Sequence, residues 1–523
     1  MSAPHSPEAI DSITVKGVLH SDKYGLYPYE TKDLEIGFSK YGEMATQHRG
    51  LAYNGLELFI PLNSTHPPLE GWFLQYKYFD HSNGEVEGRA YALYSNPHSG
   101  IPREGRSRNL VVEPLDIIYD GPRRFIAQAT IHIMKDYINI INLKQTLIFN
   151  KVHKHVVILM DVSFLKTSEE ASSLQICFSR RVALPVSQDQ IRFQSGIETA
   201  YNSHRAGPGT LDLATISING ITAFAAYWPA TTQLGLYGLR EWNKPATSPP
   251  SQGEFVLLVG GWQDLIRPGS SKRFVTVYGA VDGFPEGNKD LKYQLDRVFN
   301  PWGLRDALTA EYRWILVGRN AEKDFTTAKI LKSKMVNIRV GFDGVNPNLP
   351  EIPALLMLSL EDYYDSIGRL HFKTTSVGIP VAGSNMIVIG SLYANMGSEY
   401  FNDFTDVLLV QYVREDPLPI YSTHKILLYA PSSLKNQFTT LKEGIALISI
   451  GQDPNGTRGL CVWGWTAKDT YYAVMALDRI DTRKIPDGAT SIIIKLDYTK
   501  APFSEGFLKI VEYNGTIMSW ERC

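Results

Sequence analysis

The alternation of hydrophobic and polar positions changes its period part-way along the chain. From about residue 35 to 240 the period is that of strands. "GWFLQYKYFDHSNGEVEGRAYALYS" (71–95) is followed by "NLVVEPLDIIY", "RRFIAQATIHIM", "YINIINLKQTLIF" and "KHVVILMDVSFL". Runs of this kind at regular spacing predict an antiparallel sandwich or barrel. Asn83-Gly84 and Asn219-Gly220 each stand between two alternating runs, and both predict two-residue hairpins. "FVLLVGGW" and "RFVTVYGAV" read as further strands, whereas "NKDLKYQLDRVFNPWGLRDAL" carries a helical period broken at Pro301. Beyond about residue 310 strands and helices alternate, as in α/β domains. The expected fold class is therefore α+β and multidomain: a β-rich, sandwich-like domain over 1–242, a connecting mixed segment over 254–310 packed on either domain, and an α/β domain with C-terminal strands over 311–523. The Pro- and Ser-rich "NKPATSPPSQGE" (243–254) is the expected linker.

Three stretches share one device. "RWILVGRNAEKDFTTAKIL" (313–331), "NMIVIGSLYANMGSEYFND" (385–403) and "GLCVWGWTAKDTYYAVMAL" (459–477) each run strand, glycine, helix, which predicts that Gly318, Gly390 and Gly464 end neighbouring strands. Parallel neighbours would bring helix N-termini together at a ligand-binding edge. None of the three has the additional glycines of a phosphate cradle, and Arg319, Leu392 and Trp465 would obstruct one. Structural turns are expected, with the space over Gly464 closed by side chains such as Trp463 or Trp465. Thr466 followed by Asp469 fits a capping box, and Tyr471, Val474, Met475 and Asp478 are expected on one helix face.

Charge and composition narrow the chemistry. In 523 residues, 52 Lys+Arg oppose 54 Asp+Glu for a formal charge of -2, so no general field draws the chain onto nucleic acid. "PREGRSR" (102–108) has no interleaved aromatics and reads as a solvated loop. Cys177, Cys461 and Cys523 are far apart and odd in number, which encodes neither a disulfide framework nor a zinc site. No run of about eighteen apolar residues is present to span a bilayer, and the N-terminus lacks the pattern of a secretory signal, so the chain as written reads as soluble. The "HKH" histidines, His153 and His155, would share a strand face without a third ligand and read as a solvated hairpin end. Glu361 and Asp365, four apart, read as a solvated helix face rather than a pair across a cleft. No catalytic, cofactor-binding or metal-ligating residue is predicted, and no hydrolysis is expected. Asn63, Asn455 and Asn514 head sequons and are candidate glycosylation sites.

Taken together, "WILVGRNA", "DYYDSIGR", "SNMIVIGSLYAN" with the following "NDFTD", and "CVWGWTAKDTYYAVMAL" with "SIIIKLDY" resemble the carboxyl-terminal half of archaeal S-layer-type cell-surface proteins, mainly over residues 200–523. The resemblance implies a non-enzymatic structural protein, extracellular or on the cell surface, that associates with copies of itself into an array or attaches to envelope glycans. A genuine start at Met1 would make it a cytoplasmic relative. Two other classes stay open: a secreted carbohydrate-active hydrolase using an Asp/Glu pair, and a module that binds glycans or a small ligand.

Overall fold

The computed structural model describes residues 12–16, 34–44, 51–54, 56–59, 71–93, 106–120, 124–150, 154–184, 191–193, 212–229, 231–238, 256–299, 301–310, 312, 314–317, 322–334, 385–391, 395–402, 404–413, 424–430, 433–435, 441–452 and 456–515. The protein is predominantly β, with several antiparallel sheets and one mixed sheet near the C-terminus. It divides into two compact units at Leu295/Asp296.

In the first unit, β1 (Ser12–Lys16), β2 (Leu34–Ser39), β3 (Leu51–Tyr53) and β4 (Leu56–Phe59) form a small sheet in that order. A five-stranded sheet contains β5 (Gly71–Asp80), β6 (Gly84–Leu93), β12 (Leu174–Leu184), β16 (Gln233–Gly238) and β17 (Val256–Ile266), in the order β16-β17-β12-β5-β6. The largest sheet comprises β7 (Leu110–Val112), β8 (Asp116–Asp120), β9 (Arg124–Lys135), β10 (Ile138–Asn150), β11 (His155–Phe164), β13 (Ile191–Phe193), β14 (Asp212–Ile218), β15 (Ile221–Trp228) and β18 (Ser271–Asp282). Its order is β13-β14-β15-β18-β11-β10-β9-β7, with β8 also on β9. Every pairing in these sheets is antiparallel.

β17 lies between β16 and β12, and β18 between β15 and β11. The expected domain boundary at 242–254 is thereby corrected: residues 256–282 are central strands of the first unit, because both sheets need them to satisfy their ladders. The linker residues 243–254 themselves lie outside the described residues. The structure places a two-residue turn at Asn219–Gly220. At Asn83–Gly84 the expectation is corrected by one residue, since Asp80 pairs with Gly84 across the three residues His81–Asn83. The Asp80 carboxylate accepts from Ser82 N and Asn83 N, both at 3.0 Å, and this side-chain cap supports the longer loop.

Alternation sends Phe125, Ala127, Ala129, Ile131 and Ile133 of β9 into one core with Trp72, Leu74, Ile176 and Phe178 of the five-stranded sheet. Within that core Arg180 is fully buried and donates to Gly42 O at 2.8 Å and to Gln145 Oε1. Arg106, from the stretch expected to be a solvated loop, donates to both carboxylate oxygens of buried Glu43 at 3.0 and 2.8 Å and stacks 3.8 Å over Tyr41. Arg106 is itself exposed, its side chain 42% accessible, in keeping with the solvated-loop reading; its added role is to compensate Glu43, which could not otherwise be buried.

After β18 come α1 (Lys289–Phe299), started by the Asn288 side chain accepting from Leu291 N, and α2 (Leu304–Thr309), with Pro301 between them. In the second unit, β19 (Trp314–Val317), α3 (Glu322–Lys334), β20 (Asn385–Ile389), α4 (Met396–Asn402), β24 (Glu443–Gln452), β25 (Arg458–Gly464), α5 (Ala467–Ala476), β26 (Ser491–Asp497) and β27 (Leu508–Asn514) build the mixed sheet, ordered β19-β20-β25-β24-β26-β27, and its helices. β19, β20 and β25 are parallel and the other pairings antiparallel. β21 (Leu408–Val413), β22 (His424–Ala430) and β23 (Ser433–Lys435) form a separate antiparallel sheet.

Helix α5 backs directly onto the end of β25. A Cβ on Gly464 would meet Asp469 Cβ at 2.2 Å and Thr470 N at 2.4 Å. Gly464→Ala should therefore destabilise the protein by about 1–3 kcal/mol through overpacking against backbone, measured by urea denaturation; a variant as stable as the parent would contradict the close approach.

Candidate functional site

The strand-glycine-helix junctions were the first candidates. Gly390 and Gly464 follow or end neighbouring parallel strands, β20 and β25, while Gly318 lies outside the described residues. Neither described junction is open. Asn395 Nδ2 donates to Leu316 O at 3.0 Å and Ile389 O at 2.9 Å, bridging β19 and β20, and Ser398 Oγ donates to Gly390 O at 2.6 Å. At Gly464 the capping box is present: Thr466 Oγ1 accepts from Asp469 N at 3.2 Å and Asp469 Oδ2 from Thr466 N at 2.8 Å. The helix, not a tryptophan, fills the space over Gly464. Trp463 instead packs with Val407, Ile445, Leu447 and Ile493, with Trp465 against them, which corrects the expected lid. By helical spacing Tyr471, Val474 and Met475 share one face of α5, while the buried positions are Asp469, Thr470, Ala473, Val474 and Ala476. The cap turns Asp469 inward, where Tyr498 Oη donates to its Oδ1, and leaves Tyr471 and Met475 only half-buried.

Tyr471 lines a cleft of about 420 Å³ between α3 and α5, with Lys323, Thr326, Thr327, Ala467, Lys468 and Tyr472. Two of its polar groups are engaged elsewhere: Thr327 Oγ1 donates to Lys323 O at 2.8 Å, and Lys468 Nζ lies 3.5 Å over the Tyr498 ring. The capping box satisfies Asp469 N, one of the amides at the start of α5 that an anion would use.

A different site emerges on the face of the nine-stranded sheet turned away from the core. Register sets Asn142 beside His132 and Ser163, and Lys144 beside Thr130 and Asp161, with Arg273 beyond Asp161. Further along, Thr146 pairs with Gln128, whose Nε2 donates to Thr146 Oγ1 at 2.9 Å. His132 Nδ1 lies 2.8 Å from Asn142 Oδ1 and its Nε2 2.8 Å from Glu113 Oε1. Asn139 Nδ2 approaches the same Nδ1 at 2.9 Å and donates to Asn142 Oδ1 at 2.7 Å. Arg273 and Asp161 form a two-pronged pair, both contacts 2.7 Å, with the side chains 3% and 18% exposed.

Burial opposes charge on His132, but the Asn142 and Glu113 acceptors outweigh it and raise its pKa above the ordinary 6.5. Asp116, opposite Gln128 at an edge open to solvent, also titrates above its usual range, through partial burial first and then the Glu113 charge, with Lys144 opposing. The row thus unites a carboxyl group that holds its proton longer than usual, an imidazole biased toward its cation, and the half-buried Lys144. Such groups can hydrogen-bond a polar ligand and exchange protons with it. Among the described residues no group of three or more His, Cys, Asp or Glu is placed to hold a metal ion.

Other sequence candidates fall elsewhere. His155 is buried and its Nδ1 contacts Gln294 Oε1, which corrects the solvated-end reading; His153 lies outside the described residues, as do Glu361, Asp365, Cys523, Asn63 and Asn455. Asn514 is fully buried in β27, so its amide is closed to a glycan and that candidate is withdrawn. Cys177 and Cys461 are free thiols, the second buried. No described helix is long and apolar enough to cross a membrane. The row of the large sheet was missed because its members are scattered over β9, β10, β11 and β18. The signal was present in the even positions Gln128, Thr130 and His132, then Asn142, Lys144 and Thr146: two consecutive strands polar on the same face.

No protein-family model and no curated protein matches the chain. Among solved structures it is similar to a putative aldose 1-epimerase from Escherichia coli K12, at 9% identity over 51% of this chain and 99% of that one, TM-score 0.29. A heparan sulfate lyase from Pedobacter heparinus aligns at 8% identity over 53% of this chain and 36% of that one, TM-score 0.28. A galactose mutarotase-like protein from Lactobacillus casei aligns at 8% identity over 48% and 98%, TM-score 0.28. At these scores the likeness assigns neither fold nor activity.

Two outcomes follow from the row's electrostatics. Asp161→Ala removes the carboxylate partner of a buried guanidinium and should cost about 3–5 kcal/mol in urea denaturation; a loss within experimental error contradicts the pairing. Because the folded pKa of His132 is raised, its stabilising contribution is complete below 6.5 and is lost as pH rises through the folded value. Stability should fall across that window, and His132→Gln should flatten the fall; an unchanged slope in the variant contradicts the assignment.

Proposed function

We propose that the polar row of the nine-stranded sheet binds a carbohydrate, with Asp116 placed as proton donor and Glu113 with His132 as the opposing acid-base pair. The observation that carries the reading is the registered row itself: Asn142, Thr130, Lys144 and His132 present mixed donors and acceptors on a half-buried shelf. Cross-strand neighbours on such a shelf are spaced about 4.7–5.5 Å apart, a separation that suits the hydroxyls of one sugar ring. The main charges are countered in place, Arg273 by Asp161 and His132 by Glu113, which favours a neutral polyhydroxylated ligand over an ion. In this reading the nine- and five-stranded sheets are a sandwich-like support, and the mixed sheet with its helices is an α/β domain.

The competing role is the self-associating surface protein implied by the S-layer resemblance, extracellular and in contact with copies of itself. Phe79 and Leu265, 52% and 61% exposed on the outer face of the five-stranded sheet, are the surface features that favour it.

The test is titration of the full chain with a panel of neutral methyl glycosides and oligosaccharides by calorimetry and NMR, with assays of ring opening and glycoside cleavage on any binder. Asn142→Ala should weaken binding about tenfold, and Asp116→Asn should abolish turnover while leaving the affinity near that of the parent. Binding indifferent to Asn142→Ala, or turnover indifferent to Asp116→Asn, would overturn the reading. Light scattering on the same samples, showing open-ended assembly without saccharide binding, would favour the surface array instead.

A further inference from the structure

Tyr137 stands at the tip of the two-residue turn joining β9 to β10, where Lys135 pairs with Ile138. Its side chain is 99% exposed and its backbone has φ 67, after Asp136 at φ 50. The β14–β15 turn has almost the same backbone, Asn219 at φ 50 and Gly220 at φ 76, and there the second position is glycine. Glycine enters that region without steric penalty, whereas an aromatic side chain is strained in it. The Tyr137 ring gains no burial in return. For the fold alone, tyrosine is the wrong residue at this position.

Its surroundings suggest what it serves. Two residues on, Asn139 donates to Asn142 at 2.7 Å and touches His132 at 2.9 Å, so the tip is continuous with the polar row. Val111, cross-strand from His132, is 52% exposed and supplies a second apolar surface beside the same ring. Sugar rings carry hydroxyls around the rim and C–H groups on one face, and an exposed aromatic beside hydrogen-bonding groups matches both.

We propose that Tyr137 is the stacking residue at the hairpin end of the site, laying its ring against the C–H face of a terminal pyranose whose hydroxyls engage Asn142 and His132, with Lys144 left for the next sugar unit along the row. The inference rests on the carbohydrate reading and adds the residue that selects ring face and orientation. Strain held at a ligand-binding position is released when the residue is replaced by one that tolerates the backbone.

The experiment compares the full-length parent with Tyr137→Gly, Tyr137→Phe and Asn142→Ala, by thermal denaturation and by titration with the neutral methyl glycosides and oligosaccharides. Tyr137→Gly should melt at a higher temperature than the parent and bind about fivefold more weakly, while Tyr137→Phe keeps the parent's affinity. A gain in stability with a loss of binding is a pairing that a structural tyrosine cannot give. If Tyr137→Gly binds as the parent does while Asn142→Ala has lost affinity, the stacking role is overturned and the carbohydrate reading stands. A lower melting temperature in Tyr137→Gly would make Tyr137 a packing residue and overturn the role as well. A parent that binds no saccharide overturns both.

Discussion

Strands alternate their side chains, and in the first unit one face of the nine-stranded sheet is buried against a five-stranded partner. The two facts together fix the register of β9, β10, β11 and β18, because a slip of one residue would drive His132, Asn142 and Asp161 into the core in place of Ile131, Leu143 and Met160. The apolar core is what aligns the polar row, although no member of the row takes part in that core. The same logic explains why the site needs little rigid machinery of its own. His132, Asn142, Lys144 and Asp161 stand on β9, β10 and β11, each held on both sides by ladders, and the Arg273–Asp161 pair anchors one end of the row.

The second unit shows how an edge suited to ligands can be closed. Parallel β19, β20 and β25 put the starts of their following segments at one side of the sheet, the usual position for a cofactor in such an arrangement. Here the Asn395 amide staples two strand ends together, and Asp469 and Thr470 pack onto Gly464, so the edge is occupied by the protein's own polar groups. Tyr498 completes the closure by donating to Asp469. The glycine at the end of β25 is therefore a packing residue that lets a helix approach.

Much of the fold was legible because local rules act on neighbours in sequence. The alternating runs marked β9 to β11, Pro301 separated two helices, and Thr466 with Asp469 capped α5. What escaped was set by partners far away in the chain. The Arg106–Glu43 pair went unread because its members are 63 residues apart, and His155 read as exposed because Gln294 is 139 residues distant. The domain boundary was misplaced for the same reason, since a Pro-rich stretch between β16 and β17 says nothing about their hydrogen-bonding to each other. The candidate site was invisible as a motif. Glu113, His132, Asn142 and Asp161 come together only through cross-strand register, and a register cannot be read from any one strand.

A crystal structure of the full chain soaked with a bound neutral saccharide tests the central claim most directly. The account requires the sugar to lie across β9 and β10, with hydroxyls within hydrogen-bonding distance of His132, Asn142 and Lys144. Saccharide density confined to the cleft beside Lys323 and Lys468, with the sheet face bare, would contradict it.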